Sequence, residues 1–393
     1  MRSDIRLRNY EHADPARRIV CGPGAIDRAG DLLEGVGVRR ALVLVGETMA
    51  GTPLFARVLG ALGGRVAAVL KGIPPHSGPQ WVEQGLELRE RHRADGLVSI
   101  GGGSSIDTAK CIALVALMGG DIAAHRIVPP GPPSLNAQAL RPAALPHLCI
   151  PTTGSGSEVT PGAGLRAPDG RKWIFWHVSI PPQVVVLDPA AAASTPYPIA
   201  AASSLNSLAH AVESMYAVNR QPLTEAYATA ALHRFGRWLP RSAAAPDDAE
   251  VRGEIQQAWL LAGLSIANAR VALHHAICHG LGARFGVSHG AANAIMLPHV
   301  MRFNCGSAQE PLARVARALG SALDDEAAAA ADSAGQVERI QAALGVPRRL
   351  RDVGVPADQL AALAADTMHE RAAHFNPRPV TRDDVLALLR AAW

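Results

Sequence analysis

The chain has few of the features of secreted or membrane-bound proteins. Its five cysteines are scattered and odd in number, which fits reduced thiols better than a disulfide framework. No uninterrupted apolar run reaches the roughly eighteen residues that a membrane span needs. Residues 1–18 are polar and charged and lack the apolar core of a secretory signal. We therefore expect a cytoplasmic protein that does not associate with a membrane.

Lysine is also scarce. Lys71, Lys110 and Lys172 are the only three lysines, although lysine and arginine together number 38. The arginines are dispersed among acidic residues and form no basic block, so the net charge of +4 does not predict nucleic-acid binding. Because an ammonium and a guanidinium are not interchangeable at a tight phosphate or ribose contact, the three lysines are functional candidates.

The sequence predicts two domains in 393 residues, 48% of them apolar and 18% charged. Short β-branched runs alternate with helical stretches in residues 1–195, as in 41–46, 65–72, 96–103, 147–153 and 183–189. This alternation predicts a parallel sheet covered by helices. Residues 196–393 are rich in alanine and leucine with a 3.6-residue period and predict an all-helical domain. The Pro-rich segment 128–134 is predicted to be a loop.

Two loops at strand ends favour nucleotide binding. In GGGSSIDTAK (101–110), glycines between a strand and a helix let the backbone approach a pyrophosphate at the helix N-terminus. Gly102, Gly103 and Ser104 are the candidate contacts, with Asp107 in the first turn. The same sequence is also typical of a tight turn with an N-cap serine that binds no nucleotide. The second loop, PTTGSGSEVT (151–160), offers hydroxyls and bare backbone, as a flexible surface loop also would.

Histidines cluster in the helical half. Asn206 and His210 are four residues apart on one predicted helix, and His275 and His279 repeat this spacing on another. His289 ends the following loop. Two helix faces and a loop can bring three imidazoles to a divalent metal and leave an open position. Taken singly, each histidine is more typical of a hydrogen-bonded core or surface residue than of a metal ligand.

These motifs, in this order, resemble the iron-containing alcohol dehydrogenase superfamily over nearly the whole chain. The resemblance rests on GGGSSIDTAK, PTT–GSEVT, VVVLDP, NSLAHAVES and HHAICHGLGARFGVSHGAANAIMLPHVMRFN. It implies an α/β dinucleotide-binding domain, a helical domain, a cleft between them and a homodimer. Carried across, the metal positions of the family fall on Asn206, His210, His275 and His289, and the position for proton transfer falls on His279.

The resemblance also assigns cofactor contacts. The diphosphate of NAD or NADP would lie on Gly101, Gly102, Gly103 and Ser104. The ribose and nicotinamide would be placed by a second set, namely Asp107, Thr152, Thr153, Ser157 and Lys172. Gly46 stands where the family often has an aspartate that excludes a 2′-phosphate, so NADP is permitted but not required.

One departure places the chain nearest the maleylacetate reductase branch. The first metal position is usually aspartate, and this chain has Asn206, as that branch does. A neutral amide is a poorer ligand than a carboxylate, so Fe²⁺ or Zn²⁺ binding and metal-free catalysis both stay open. ALHH, GRK at 170–172 and NPRPVTR also match the branch, whereas Ala276, where the branch has lysine, and residues 290–300 follow the wider family.

The sequence therefore predicts an NAD(P)-dependent oxidoreductase that transfers hydride to the carbonyl of a small oxo acid. His279 would supply the proton, while His210 and His275 would stabilise the oxyanion. His274, Arg171 and Arg284 are cations that could recognise a substrate carboxylate or simply be solvated. The alternatives are a metal-dependent alcohol dehydrogenase or aldehyde reductase, a lyase like dehydroquinate synthase, and a non-catalytic nucleotide-binding protein.

Overall fold

The computed structural model of the chain describes Tyr10, His12 and residues 14–127 and 145–393. The predicted loop at 128–134 lies outside these residues. Strands occupy the first half, and the strand bounds are β1 (Arg18–Cys21), β2 (Ala41–Val45), β3 (Val66–Lys71), β4 (Gly96–Gly101), β5 (His147–Pro151), β6 (Gly162–Arg166), β7 (Lys172–Trp176) and β8 (Val184–Leu187). Between the strands run the helices α1 (Ala29–Glu34), α2 (Glu47–Ala50), α3 (Pro53–Leu62), α4 (Pro79–Arg91) and α5 (Gly103–Met118).

Six of the strands form one parallel sheet in the order β1-β8-β5-β4-β2-β3. Alternate residues of β2 point to opposite faces, as the pleat requires. Val43 and Val45 pack in the cluster that includes α1 and α3, whereas Leu42 and Leu44 pack in the cluster that includes α4 and α5. The sheet is thus buried on both faces, and the predicted α/β fold class of the first half is confirmed.

The sheet order creates a crevice between β2 and β4. The chain leaves β2 toward β3 on one side, and leaves β4 toward β5 on the other. The loops after these two strands therefore diverge, and open α/β sheets bind ligands at such a switch point. The glycine loop at 101–103 follows β4 directly at this place.

Three strands were not predicted from the sequence. β1 is a four-residue strand at the sheet edge, and β6 and β7 form an antiparallel hairpin apart from the main sheet. The hairpin buries Phe175 in the cluster beside α4 and α5, with Trp173 packed partly buried against it. The other face of β7 carries Lys172, Ile174 and Trp176.

The second half is entirely helical in the described residues, as predicted. Its helices are α6 (Pro189–Ala193), α7 (Tyr197–Tyr216), α8 (Pro222–Ala244), α9 (Ala249–Asn268), α10 (Leu273–Phe285), α11 (His289–Asn304), α12 (Gln309–Leu319), α13 (Glu326–Leu344), α14 (Leu360–Thr367) and α15 (Arg382–Ala392). Thr381 caps α15 by accepting from the amide of Asp384, with Asp384 reciprocating. The boundary predicted at 195/196 falls between α6 and α7, and the division into two domains there stays a prediction.

Long apolar helices are present but none is a membrane span by itself. Among the described residues, no single helix has the length and hydropathy required. α9 and α10 together pass this test, but they are bent by 104° relative to each other.

Candidate active site

Four imidazoles meet where α7, α10 and the start of α11 approach one another. Asn206 and His210 lie one turn apart on α7, His275 and His279 lie one turn apart on α10, and His289 is the first residue of α11. The ring centroid of His275 is 4.9 Å from that of His210, 5.7 Å from that of His289 and 6.2 Å from that of His279. The structure thus brings these five candidate residues together.

The deeper three of these imidazoles are uncharged at neutral pH. Burial lowers the pKa of His210, His275 and His289 well below the usual histidine value, and the positive charges of Lys172 and of neighbouring histidines lower it further. A neutral imidazole offers one lone pair and one N–H, which suits either a metal ion or hydrogen bonding to a polar ligand.

The orientation of His275 is set by Glu213, which sequence reasoning missed. His275 Nδ1 lies 2.5 Å from Glu213 Oε2, and burial raises the pKa of Glu213 while backbone N–H groups that it accepts from favour its ionised form. With Glu213 ionised, the carboxylate accepts and the proton resides on His275 Nδ1. The neighbouring His274 agrees with this assignment, because its Nε2 donates to Asn293 O and its Nδ1 faces His275 Nδ1 as an acceptor at 3.3 Å. The lone pair of His275 Nε2 therefore faces Asn206 Oδ1 at 3.4 Å.

Asn206 holds its amide in a fixed orientation. Its Nδ2 donates to the carbonyl of Gly154 at 3.0 Å, beside the hydroxyl of Ser207, which donates to the same carbonyl at 2.6 Å. Its Oδ1 accepts from Asn293 Nδ2 at 3.3 Å. An aspartate at 206 could not donate to Gly154, so this position suits an amide. The contact also ties the second loop of the α/β half to a helix of the other half.

The donor atoms at these positions fit a divalent metal ion only in part, because among the described residues the His and carboxylate atoms that lie within 4.8 Å of one another belong to Glu213, His274 and His275. The lone pairs of His275 Nε2 and Asn206 Oδ1 face each other with no proton to share, and His210 Nδ1 is buried without a hydrogen-bond partner among the described residues. His210, His275 and His289, with Asn206 Oδ1 as a neutral oxygen, would be the ligands. Because the oxygen brings no charge, we expect weaker binding than with a carboxylate.

His279 lies at the partly exposed side of the cluster. Its side chain is 23% exposed, its Nδ1 is 3.4 Å from Glu370 Oε2, and its ring stacks on that of His289 at 5.7 Å. Burial by itself would raise the pKa of Glu370, and the hydrogen bond with His279 brings it below its usual value. His279 thus has a charged partner and contact with solvent, which are the requirements for a group that exchanges protons with solvent.

The glycine loop has the form that an anion-binding helix terminus needs. Gly101 adopts φ +130°, which favours glycine, and no side chain caps the N-terminus of α5 at Gly102. The amides at the start of α5 are therefore available to a phosphate. A Cβ on Gly102 would lie 3.1 Å from Thr153 Oγ1, so the two predicted cofactor loops pack directly against each other.

The other cofactor candidates flank this loop. Ser104 Oγ accepts from the amide of His76 at 3.0 Å, and Asp107 Oδ2 accepts from the amide of Gly164 at 2.9 Å. The side chain of Lys172 lies across Gly164, since a Cβ there would meet its Cε at 2.7 Å. Thr152 is buried and its carbonyl accepts from Thr195. Ser104 and Asp107 are thus already engaged with neighbouring backbone.

Lys110 has a structural contact that only lysine can make. Its fully buried ammonium donates to the carbonyls of Ser157, Thr160 and Gly162 and lies 3.6 Å from Asp107. An ammonium has three donors, and each finds a carbonyl. A planar guanidinium could not fill the same position. This explains why a lysine persists in an arginine-rich chain, and it fixes the loop that carries Ser157.

Glu158, next in that loop, makes stability depend on pH. It is 1% exposed, and burial raises its pKa to about 7. Between its ordinary value near 4.5 and about 7, the folded state binds more protons than the unfolded state. The contribution of Glu158 to the free energy of unfolding is therefore fully present below pH 4.5. As pH rises through 7 this contribution is lost, by up to about 3 kcal/mol. We expect Glu158→Gln to remove most of this loss, measured as the free energy of unfolding by urea at pH 5 and pH 8. An equal change in the free energy of unfolding between pH 5 and pH 8 in the wild type and in Glu158→Gln would contradict this role of Glu158.

The chain is similar to known proteins over nearly its whole length. Residues 16–189 match the profile of iron-containing alcohol dehydrogenases, and residues 200–393 match the C-terminal profile of the Fe-containing alcohol dehydrogenase family. A maleylacetate reductase of Sphingobium indicum is 33% identical over 95% of both chains. An NAD-dependent methanol dehydrogenase of Bacillus methanolicus is 30% identical over 95% of this chain and 97% of that one.

Structural similarity is equally extensive. The crystal structure of a 1,3-propanediol oxidoreductase superposes with a TM-score of 0.91 and 27% identity over 98% of this chain and 100% of the other. The resemblance predicted from the sequence, including that to maleylacetate reductases, is confirmed. With both halves matched, the chain belongs to the iron-containing alcohol dehydrogenase family, an enzyme family of dehydrogenases and reductases.

Proposed function

We propose that this enzyme is an NAD(P)H-dependent reductase of a small oxo acid, similar to a maleylacetate reductase, and that it works without a metal ion. One observation carries the proposal: Asn206 donates its amide N–H to Gly154 while its oxygen faces the neutral His275. This position is therefore occupied by a group that holds a loop and contributes no negative charge. The similarity to a maleylacetate reductase over 95% of both chains supports the same substrate class.

The cofactor would bind along the switch point of the sheet. The uncapped amides of α5 face the diphosphate, and Gly101, Gly102, Gly103 and Ser104 provide the close backbone approach. Thr152, Thr153, Ser157, Asp107 and Lys172 border the path from this loop toward the histidines. Bound nicotinamide supplies the hydride. The NAD dependence in the name of the Bacillus relative favours NAD, and Gly46 leaves room for NADP.

The protein side of the reaction is oxyanion stabilisation and proton transfer. Hydride addition to the carbonyl carbon breaks the C=O π bond and places the electron pair on oxygen. In an oxo acid whose carbonyl is conjugated to an alkene, addition to the far alkene carbon places the charge on the same oxygen. The neutral histidines His210 and His289 would donate to that oxygen, and His275, whose N–H is engaged by Glu213, would border it. His279 would give it the proton and recover one from solvent near Glu370.

A metal-dependent alcohol dehydrogenase is the second candidate. The facing lone pairs of His275 Nε2 and Asn206 Oδ1, together with the unpartnered His210 Nδ1, favour it. A bound Fe²⁺ or Zn²⁺ would supply Lewis-acid polarisation of the substrate oxygen. His279 would keep its place as the proton-exchanging group in both cases.

Metal content and turnover separate these two functions. Untagged protein purified anaerobically without chelator should contain far less than one iron or zinc per chain and should still oxidise NADH or NADPH with maleylacetate. The matched variant Asn206→Asp restores the usual carboxylate, and Ser207 still donates to Gly154 in it, so we expect it to retain iron or zinc. One metal per wild-type chain, with turnover of simple alcohols or aldehydes alone, would establish the second candidate instead.

A further inference from the structure

The cationic residues predicted from the sequence to bind a substrate carboxylate make other contacts in the structure. Arg171 is 83% exposed and pairs with Asp169 at 2.7 Å on the hairpin turn. Arg284 pairs with Asp366 at 2.7 Å. His274 is fully buried and donates to Asn293 O. An acidic substrate therefore needs a different receptor.

Arg270 has the properties that these three residues lack. It lies between α9 and α10, five residues before His275, and its guanidinium stacks on the ring of Trp176 with its Cζ 4.1 Å from the ring centroid. Its backbone amide is anchored by Asn219 Oδ1 at 3.2 Å. Within the part of the chain that the structure describes, no carboxylate pairs with this guanidinium.

The electrostatic surroundings of Arg270 favour a bound anion. Burial, together with a smaller contribution from the positive charge of Arg371, lowers its pKa to about 10. A partly desolvated cation beside a second cation is costly unless an anion compensates for it. Stacking on an indole leaves the edge N–H groups of the guanidinium free, and these match the two oxygens of a carboxylate.

Two separate connections link this pair to the histidine cluster. Trp176 shares one face of β7 with Lys172, whose charge acts on His210, His275 and His289. Arg371 directly follows Glu370, whose carboxylate is 3.4 Å from His279. Trp176 and Arg371, the two residues beside the Arg270 guanidinium, thus each belong to a segment that also carries a residue interacting with the histidines.

We propose that Arg270, held flat on Trp176 and assisted by Arg371, binds a carboxylate of the substrate away from the carbon that receives hydride. This subsite rests on the proposed function for its natural ligand, an oxo acid. It would exclude neither aldehydes nor ketones, but it would favour a substrate that carries a second charged end.

The test is substrate selectivity in Arg270→Gln. We expect the ratio of kcat/KM for maleylacetate to kcat/KM for an uncharged aldehyde of similar length to fall about 100-fold. Arg270→Lys keeps the charge but loses the planar guanidinium, so its kcat/KM ratio should lie between those of the wild type and Arg270→Gln. Arg284→Gln is the matched control, because it removes a guanidinium already paired with Asp366, and its ratio should match that of the wild type. Thermal unfolding and NADH affinity report on the integrity of each variant.

Inhibition by maleate tests the Arg270 subsite independently of the proposed substrate. If the wild type reduces aldehydes but no oxo acid, the proposed substrate fails. The subsite would still stand if maleate inhibits aldehyde reduction and Arg270→Gln raises its inhibition constant about 100-fold. An unchanged selectivity ratio and inhibition constant in folded Arg270→Gln would overturn the subsite. So would a loss of NADPH affinity without loss of maleate affinity, because the anion recognised would then be a cofactor phosphate.

Discussion

Replacing His279 with alanine is expected to lower kcat by about 10²- to 10⁴-fold, the usual contribution of a positioned proton donor. The reason is its location, partly exposed at the end of the imidazole cluster and within 3.4 Å of Glu370. The dissociation constant for NADH should change little, since the glycine loop lies on β4 and α5 and the substitution removes no contact there. Stopped-flow single turnovers with maleylacetate would measure the chemical step directly.

The pH dependence of kcat distinguishes proton transfer from a merely structural role. In the wild type the pH profile of kcat should contain a limb that reports proton transfer in the chemical step, and this limb should disappear in the alanine variant. His233→Ala is the matched control, because this histidine is exposed on α8 and is remote in sequence from the cluster. If His279→Ala keeps both the rate and the limb, the residue has no part in proton transfer.

Replacing Gly102 with valine is expected to abolish binding of NADH and NADPH. A Cβ at this position already meets Thr153 Oγ1 at 3.1 Å and Thr153 Cγ2 at 3.4 Å. The extra methyl groups would separate the two loops and cover the amides at the start of α5, where a diphosphate needs direct access to the backbone. Fluorescence titration should show at least about a 100-fold rise in the dissociation constant, equivalent to about 3 kcal/mol.

A second glycine provides the control for this substitution. Gly60 lies on α3, is exposed, and a Cβ there has no atom within 4 Å. Gly60→Ala should therefore bind cofactor as the wild type does, with a stability equal or slightly higher because alanine favours helix. Normal cofactor affinity in a folded Gly102→Val protein would remove the 101–104 loop from the cofactor site.

Much of the fold is predictable because its long elements carry strong periodic patterns. The alternation of strands and helices up to Leu187 and the alanine-rich helices after it both follow from local sequence. β6 and β7 are not predictable in the same way. They are five residues each, they include Gly162 and Gly164, and they are joined by a turn with proline, aspartate and glycine that reads as a loop.

The histidine cluster is predictable for a similar reason, because four-residue spacings on α7 and α10 place pairs of side chains on one face. Glu213 lies on that same face of α7, seven residues after Asn206, and this spacing could have identified it. Arg270 offers no such signal. Its environment comes from Trp176 on a hairpin nearly a hundred residues away, so its placement depends on tertiary packing that local sequence does not encode.

The shared carbonyl of Gly154 has a thermodynamic consequence. It receives hydrogen bonds from Asn206 and Ser207, while the residue before it, Thr153, borders the glycine loop. Any shift of this loop when the dinucleotide binds must therefore move or strain the amide that faces His275. The affinity for the dinucleotide and the affinity for a ligand at the imidazoles are then linked, and linkage is reciprocal: whatever one ligand gains from the other's presence, the other gains equally.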